Sequence, residues 1–240
     1  MTTTPAAITV LPLGGIGEVR AGDEIADLVA DAAHRQGTAL ADHDCVVVTQ
    51  KIVSKAEGRV VALDADDRDA RRRLVEAESV RVLRRRGDLI ISETRHGFIC
   101  ANAGVDLSNV EPGFAALLPL DADRSARHIR DALRARHGVD VAVIVSDTFG
   151  RPWRTGLTDV AIGVCGIGAV LDLRGQPDAL GQELHVTEIA LADEIASAAE
   201  LVMGKAAGVP VAIVRGLDQS WFRESSVREL LRPTNEDLFR

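Results

Sequence analysis

The sequence predicts a mixed α/β chain of the α+β class, and three observations lead there. Short runs rich in Val, Ile and Leu recur at 8–13, Cys45–Thr49, 141–145 and 209–214, each the length of a buried strand. Between them lie segments whose apolar residues recur at helical spacing, such as Ile25, Leu28, Val29 and Ala32. No internal repeat, low-complexity tract or membrane-length apolar run interrupts this mixture. At 240 residues the chain accommodates a single domain over 1–240, with room for two subdomains.

Taken in order, strand 8–13 runs into Gly14, Gly15 and Gly17. This is not the dinucleotide fingerprint, because Arg20 stands where the third glycine belongs. The turn is either a plain flexible one or a loop whose backbone approaches a phosphate. Gly22-Asp23 opens a helix, and Cys45–Thr49 is a buried strand leading into Gln50, Lys51 and Lys55. The two lysines, four apart, project to one side, as a polyphosphate cradle or as solvated cations. Residues 66–86 read as one long arginine-rich helix with a solvated face. Segments 89–91 and 97–100 pair as strands around the polar turn 92–96. The small residues of 102–109 permit close backbone approach to a ligand that Asp106 and Asn109 can face, with an Asx-type loop as the alternative. Ser125 caps a helix over 125–136, Ala126, Ile129 and Leu133 form its stripe, and Gly138 ends it. Residues 159–171 are small and apolar, as in tightly packed strands or a subunit contact. A helix capped by Thr187 spans 187–202, strand 209–214 follows, and 225–231 is a short helix. The N-terminus, 1–7, is expected to be disordered.

The chemistry concentrates where strand 141–145 ends, at Asp147, Thr148, Gly150, Arg151 and Arg154. A carboxylate and a hydroxyl suit a hard cation, and guanidinium groups suit an anion. The alternative is a turn with Asp147 and Gly150 as turn formers. No P-loop exists: Gly204-Lys205 is followed by Ala206, and no glycine lies five residues before Gly204. HExxH and GxSxG motifs are absent. The distributed set of Asp106, Asp147, Thr148, Lys51, Lys55, Arg151 and Arg154 fits metal-assisted phosphoryl transfer better than covalent catalysis.

A net charge of −8 argues against binding duplex nucleic acid. Aromatic residues make up 3% and tyrosine is absent, which removes base-stacking platforms. Cys45, Cys100 and Cys165 have neither disulfide-framework nor zinc spacing. Without a basic region and apolar block at the N-terminus, the expected location is the cytoplasm, away from membranes.

On several ordered stretches the chain resembles the coenzyme F-420 gamma-glutamyl ligase family, including the amino-terminal domain of two-domain members. They are Leu11-Pro12 leading to Gly22-Asp23, 46–55 with Glu57-Gly58-Arg59, 97–109, 146–154, 186–194, and 202–205 with Val214-Arg215-Gly216, within a resemblance that runs from about residue 8 to 239. The resemblance implies a gamma-glutamyl-ligase-like fold of mixed sheets and flanking helices in an intertwined homodimer. It implies a GTP-dependent ligase that adds L-glutamate to the deazaflavin coenzyme precursor and releases GDP and phosphate. It also implies Mg²⁺ or Mn²⁺ at two sites, Asp106 and Asp147 holding the first and Thr148 the second. Ile16, Gly17, Glu18, Val19, Gln50, Lys55 and Asn109 match positions that hold GTP, and Lys205 is a possible phosphate contact. Asp147, Lys55 and Arg151 are the expected catalytic group, with Glu188 as a candidate base. Two bound cations also explain how a chain of charge −8 accepts a polyanion. A non-catalytic GTP-binding module and a metal-dependent phosphohydrolase are the rival readings.

Overall fold

The computed structural model describes residues 7–238. The expected disorder over 1–7 therefore falls, except for Ala7, outside the described residues. The first half contains β1 (Thr9–Leu13), α1 (Ile25–Gln36), β2 (Cys45–Thr49), α2 (Gln50–Ala56), β3 (Val60–Ala62), α3 (Arg68–Ala77), β4 (Ser79–Arg86), β5 (Leu89–Thr94) and β6 (Ile99–Ala101). The second half contains β7 (Phe114–Ala116), α4 (Ala122–His137), β8 (Ala142–Arg151), β9 (Arg154–Cys165), β10 (Leu171–Asp172), β11 (Glu188–Ile189), α5 (Leu191–Met203) and β12 (Val211–Arg215). Helices and several separate sheets coexist, as the α+β class requires.

The main sheet has the order β1-β12-β2-β8-β9. Residues 46–48 and 143–145 are fully buried at consecutive positions, so the sheet is covered on both faces. Helix α4 lies along β8 and β9 and packs on α1, while α5 packs against β1, β12 and β9. Gly163 lets α4 come close: a Cβ built there would stand 2.3 Å from the Ala122 carbonyl oxygen. Strands β2 and β8 run parallel, with Thr49 opposite Ser146. Both therefore leave the core at the same end, which sets α2 beside Asp147.

Residues 57–121, between α2 and α4, build a smaller layer. Strands β3 and β7 pair, β4, β5 and β6 form a second sheet, and Leu63, Val75, Ile90, Ala103, Val105, Ala115 and Leu117 make a separate apolar cluster.

Four sequence expectations are corrected. Residues 66–86 are not one helix: α3 stops at Ala77 and β4 begins at Ser79. The deciding signal is Gly87-Asp88, a two-residue hairpin turn between the paired Arg86 and Leu89, with Gly87 at φ +59°. The helix expected from Thr187 starts at Leu191, because 188–189 pair with β10. Ser125 is not the cap of α4; Asp121 is, its side chain accepting from the Arg124 N–H at 3.0 Å. The remaining short helix, 225–231, is a 3₁₀ turn at Val227–Leu230. Among the described residues no helix is long and apolar enough to cross a membrane.

Candidate active site

A cleft of about 1350 Å³ opens at the shared exit of β2 and β8. The glycine turn after β1, helix α2, Arg71 of α3, the loop after β6, and the β8–β9 pair with the end of α5 wall it. Ile16, Gly17, Glu18, Val19, Gln50, Lys55, Asp106, Asn109, Asp147, Thr148 and Lys205 all line it. Arg151 and Arg154 do not. They flank the turn of the β8–β9 hairpin, where the Arg151 guanidinium donates to the Thr155 carbonyl at 3.1 Å. Glu188 also lies outside the lining, 3.2 Å from Arg174.

Helix α2 carries the two lysines four apart, and both reach across the cleft. The Lys51 ammonium is 2.7 Å from Asp106 Oδ2 and 2.8 Å from Ser108 Oγ. The Lys55 ammonium pairs with Glu18 in the glycine turn. Gln50 is buried, its amide donating to Ser54 Oγ at 2.6 Å and the Leu117 carbonyl at 2.9 Å. Its amide nitrogen is thus engaged inside the fold. The loop after β6 is shaped by left-handed residues, Asn102 at φ +51°, Ala103 at +52° and Asn109 at +52°. Such backbone costs roughly 1 kcal/mol or more per residue and persists where the surroundings enforce it. Here Asn102 Oδ1 accepts from the Ile90 N–H at 3.0 Å.

The carboxylates differ in character. Burial pushes Asp106 up, but the Lys51 ammonium and the Ser108 N–H outweigh it and leave the carboxyl below its ordinary value. At Asp147 burial dominates, the charges of Asp106 and Asp159 add to it, and the carboxyl is pushed up to about 7. The site thus concentrates negative potential that a cation would relieve.

Sequence reasoning missed Asp159. It is buried at 1% exposure and sits opposite Thr148 on β9. Its carboxylate accepts from Thr148 Oγ1 at 2.5 Å, Ser146 Oγ at 3.2 Å and the Lys205 ammonium at 3.0 Å. The available signal was an acid immediately before the apolar run 160–165 that ends β9. Lys205 also pairs with Thr148 Oγ1 and lies 3.5 Å from Glu200.

The donor set suits Mg²⁺ or Mn²⁺, which take one or two carboxylates and fill their shell with water and phosphate. Among the described residues no three His, Cys, Asp or Glu side chains gather to cage a cation unaided.

Comparison with known proteins then places the chain. The family model described as F420-0:Gamma-glutamyl ligase matches residues 15–216. A coenzyme F420:L-glutamate ligase of Methanothermobacter thermautotrophicus is 45% identical, the match covering 97% of this chain and 99% of the relative. Ligases of the same name from Methanopyrus kandleri and Methanocaldococcus jannaschii are 43% and 40% identical, over 93% and 83% of this chain and 94% and 85% of the relatives. On a match spanning most of its length, the chain belongs to the F420-0:gamma-glutamyl ligase family.

Proposed function

We propose that the chain joins L-glutamate, through its amine, to a carboxylate of the deazaflavin coenzyme F420 precursor, consuming GTP and releasing GDP and phosphate. The observation that carries this is the convergence on one cleft of Asp106, Asp147 and Thr148 with the ammonium groups of Lys51, Lys55 and Lys205. Carboxylate and hydroxyl oxygens serve divalent cations, ammonium groups serve phosphates, and neither set alone would suit both.

In this reading the glycine turn offers backbone N–H groups to the nucleotide phosphates. Lys55 turns from Glu18 to the γ-phosphate and stabilises the charge that spreads over it. Asp106 and Asp147 would hold a first cation and Thr148 a second. Mg²⁺ or Mn²⁺, when bound, neutralises phosphate charge and aligns the γ-phosphoryl group. An oxygen of the acceptor carboxylate attacks the γ-phosphorus, and the bond to GDP breaks. The glutamate amine then attacks the acyl carbon, phosphate leaves with the carbon–oxygen electron pair, and the amine loses a proton to give the amide. Asp159 accepts from the Thr148 hydroxyl and so positions it for this chemistry. An intertwined homodimer belongs to the same proposal.

Incubation with GTP, Mg²⁺ or Mn²⁺, L-glutamate and the unglutamylated precursor should give a mass gain of one glutamyl unit and one GDP per amide. Phosphate release independent of glutamate would instead indicate a phosphohydrolase, and binding without turnover a nucleotide-binding module. Light scattering should give twice the chain mass.

A further inference from the structure

Arg71 on α3 lines the same cleft, and among the described residues no carboxylate pairs with its guanidinium. Four arginines are half-buried among the described residues: Arg59, Arg71, Arg130 and Arg215. Arg59 holds Glu78 at 2.8 Å, Arg130 holds Glu224 at 2.7 Å and Asp140 at 3.1 Å, and Arg215 holds Asp44 at 2.7 Å. Among the described residues the Arg71 guanidinium alone of these four has no carboxylate or other hydrogen-bond partner. It is also the one that lines the cleft. A guanidinium withdrawn from water without a partner is costly, and its planar fork fits a carboxylate or phosphate bidentately. Arg71 further lines a second cavity of about 480 Å³, with Arg68, Arg72 and Arg85 as well as Asp66, Asp69 and Asp88. It therefore stands where the two cavities adjoin. Arg68 and Arg72 have only distant acids, Asp88 at 3.8 Å and Glu76 at 3.6 Å, while Arg85 holds Glu76 at 2.8 Å.

We propose that Arg71 is a substrate-binding residue whose guanidinium holds the carboxylate of a glutamyl group. This rests on the ligase reading above. The nucleotide phosphates already have three lysines in the cleft, whereas the second anion the reaction needs, a glutamyl carboxylate, has no cation assigned to it. That carboxylate has two sources. It belongs either to the incoming L-glutamate or to the glutamyl end of an acceptor already extended once, for which the adjoining arginine-lined cavity offers room.

The test is steady-state kinetics of Arg71→Gln and Arg71→Lys, with Arg73→Gln, an exposed residue of the same helix, as the control. Arg71→Gln should raise a glutamyl KM about 10–100-fold, the range expected for losing a charge-assisted bidentate contact, with the KM for GTP unchanged. Arg71→Lys should recover part of the loss, and Arg73→Gln should match the wild type. A raised KM for free L-glutamate assigns the first source; a raised KM for the monoglutamylated acceptor only assigns the second. Unchanged values for both, or a shift in the KM for GTP instead, overturns the proposal. Wild-type protein that makes no amide in the same assay overturns the ligase reading itself, a separate outcome.

Discussion

Asp147 shows how a single side chain is held in tension with the fold. Burial pushes its carboxyl up to about 7, so the folded, cation-free chain binds a proton there more tightly than the unfolded chain does. Relative stability is then full below the ordinary carboxylate pKa near 4 and is lost as pH rises to about 7. Asp147→Asn removes the ionising group and should flatten this slope, gaining up to about 4 kcal/mol over the wild type at pH 8 in chelator. Chemical denaturation between pH 4 and 8 measures it, and a variant that keeps the wild-type slope contradicts it. The same substitution, like Asp147→Ala, should lower amide synthesis at least 100-fold if Asp147 is the cation ligand proposed above. Asp147 was legible because a polar cluster ended an apolar run. Asp159 was not, since its partnership with Thr148 depends on a register shift between Gly150 and Arg151 in the hairpin. Arg71 was hidden inside an arginine run, where one member with a separate task looks like its neighbours.

At the scale of elements, the parallel pairing of β2 with β8 matters most, because it sets the start of α2 beside the Asp147 stretch of β8, about 100 residues away in sequence. Apolar runs without alternation made both strands readable. Strand β4 was unreadable by the same rule, since Arg81, Arg84, Arg85 and Arg86 lie on exposed positions and give no apolar period. Its turn, not its composition, decides its structure. The contact of β9 with α4 gives a sharper test. Gly163→Ala places a methyl group against the Ala122 carbonyl, where backbone would have to shift. It should cost at least about 2 kcal/mol, seen as a fall in the denaturation midpoint. An unchanged midpoint would mean that α4 sits farther from the sheet than described.

At the scale of the whole molecule, two apolar clusters share the load unequally. The smaller one supports the loop that carries Asp106 and Asn109, so its integrity bears on the site more than on the sheet. Ile90→Ala should cost about 2–5 kcal/mol within that layer. Amide exchange over 79–101 should speed up while β2, β8 and β12 stay protected, and uniform acceleration across the chain would refute this division. The sequence allowed for two subdomains by length alone; which residues gather in each of the two apolar clusters depends on hairpin and loop geometry that composition does not record. The acidic balance of the chain also takes on local meaning here. Lys51 on Asp106, and Lys205 on Thr148, occupy oxygens proposed above as cation ligands. The resting protein is thereby plugged by its own ammonium groups. Binding should consequently be ordered: a nucleotide draws the lysines onto its phosphates and uncovers the oxygens, so free Mg²⁺ alone should titrate only weakly, and an inert GTP analogue should tighten it by an order of magnitude or more.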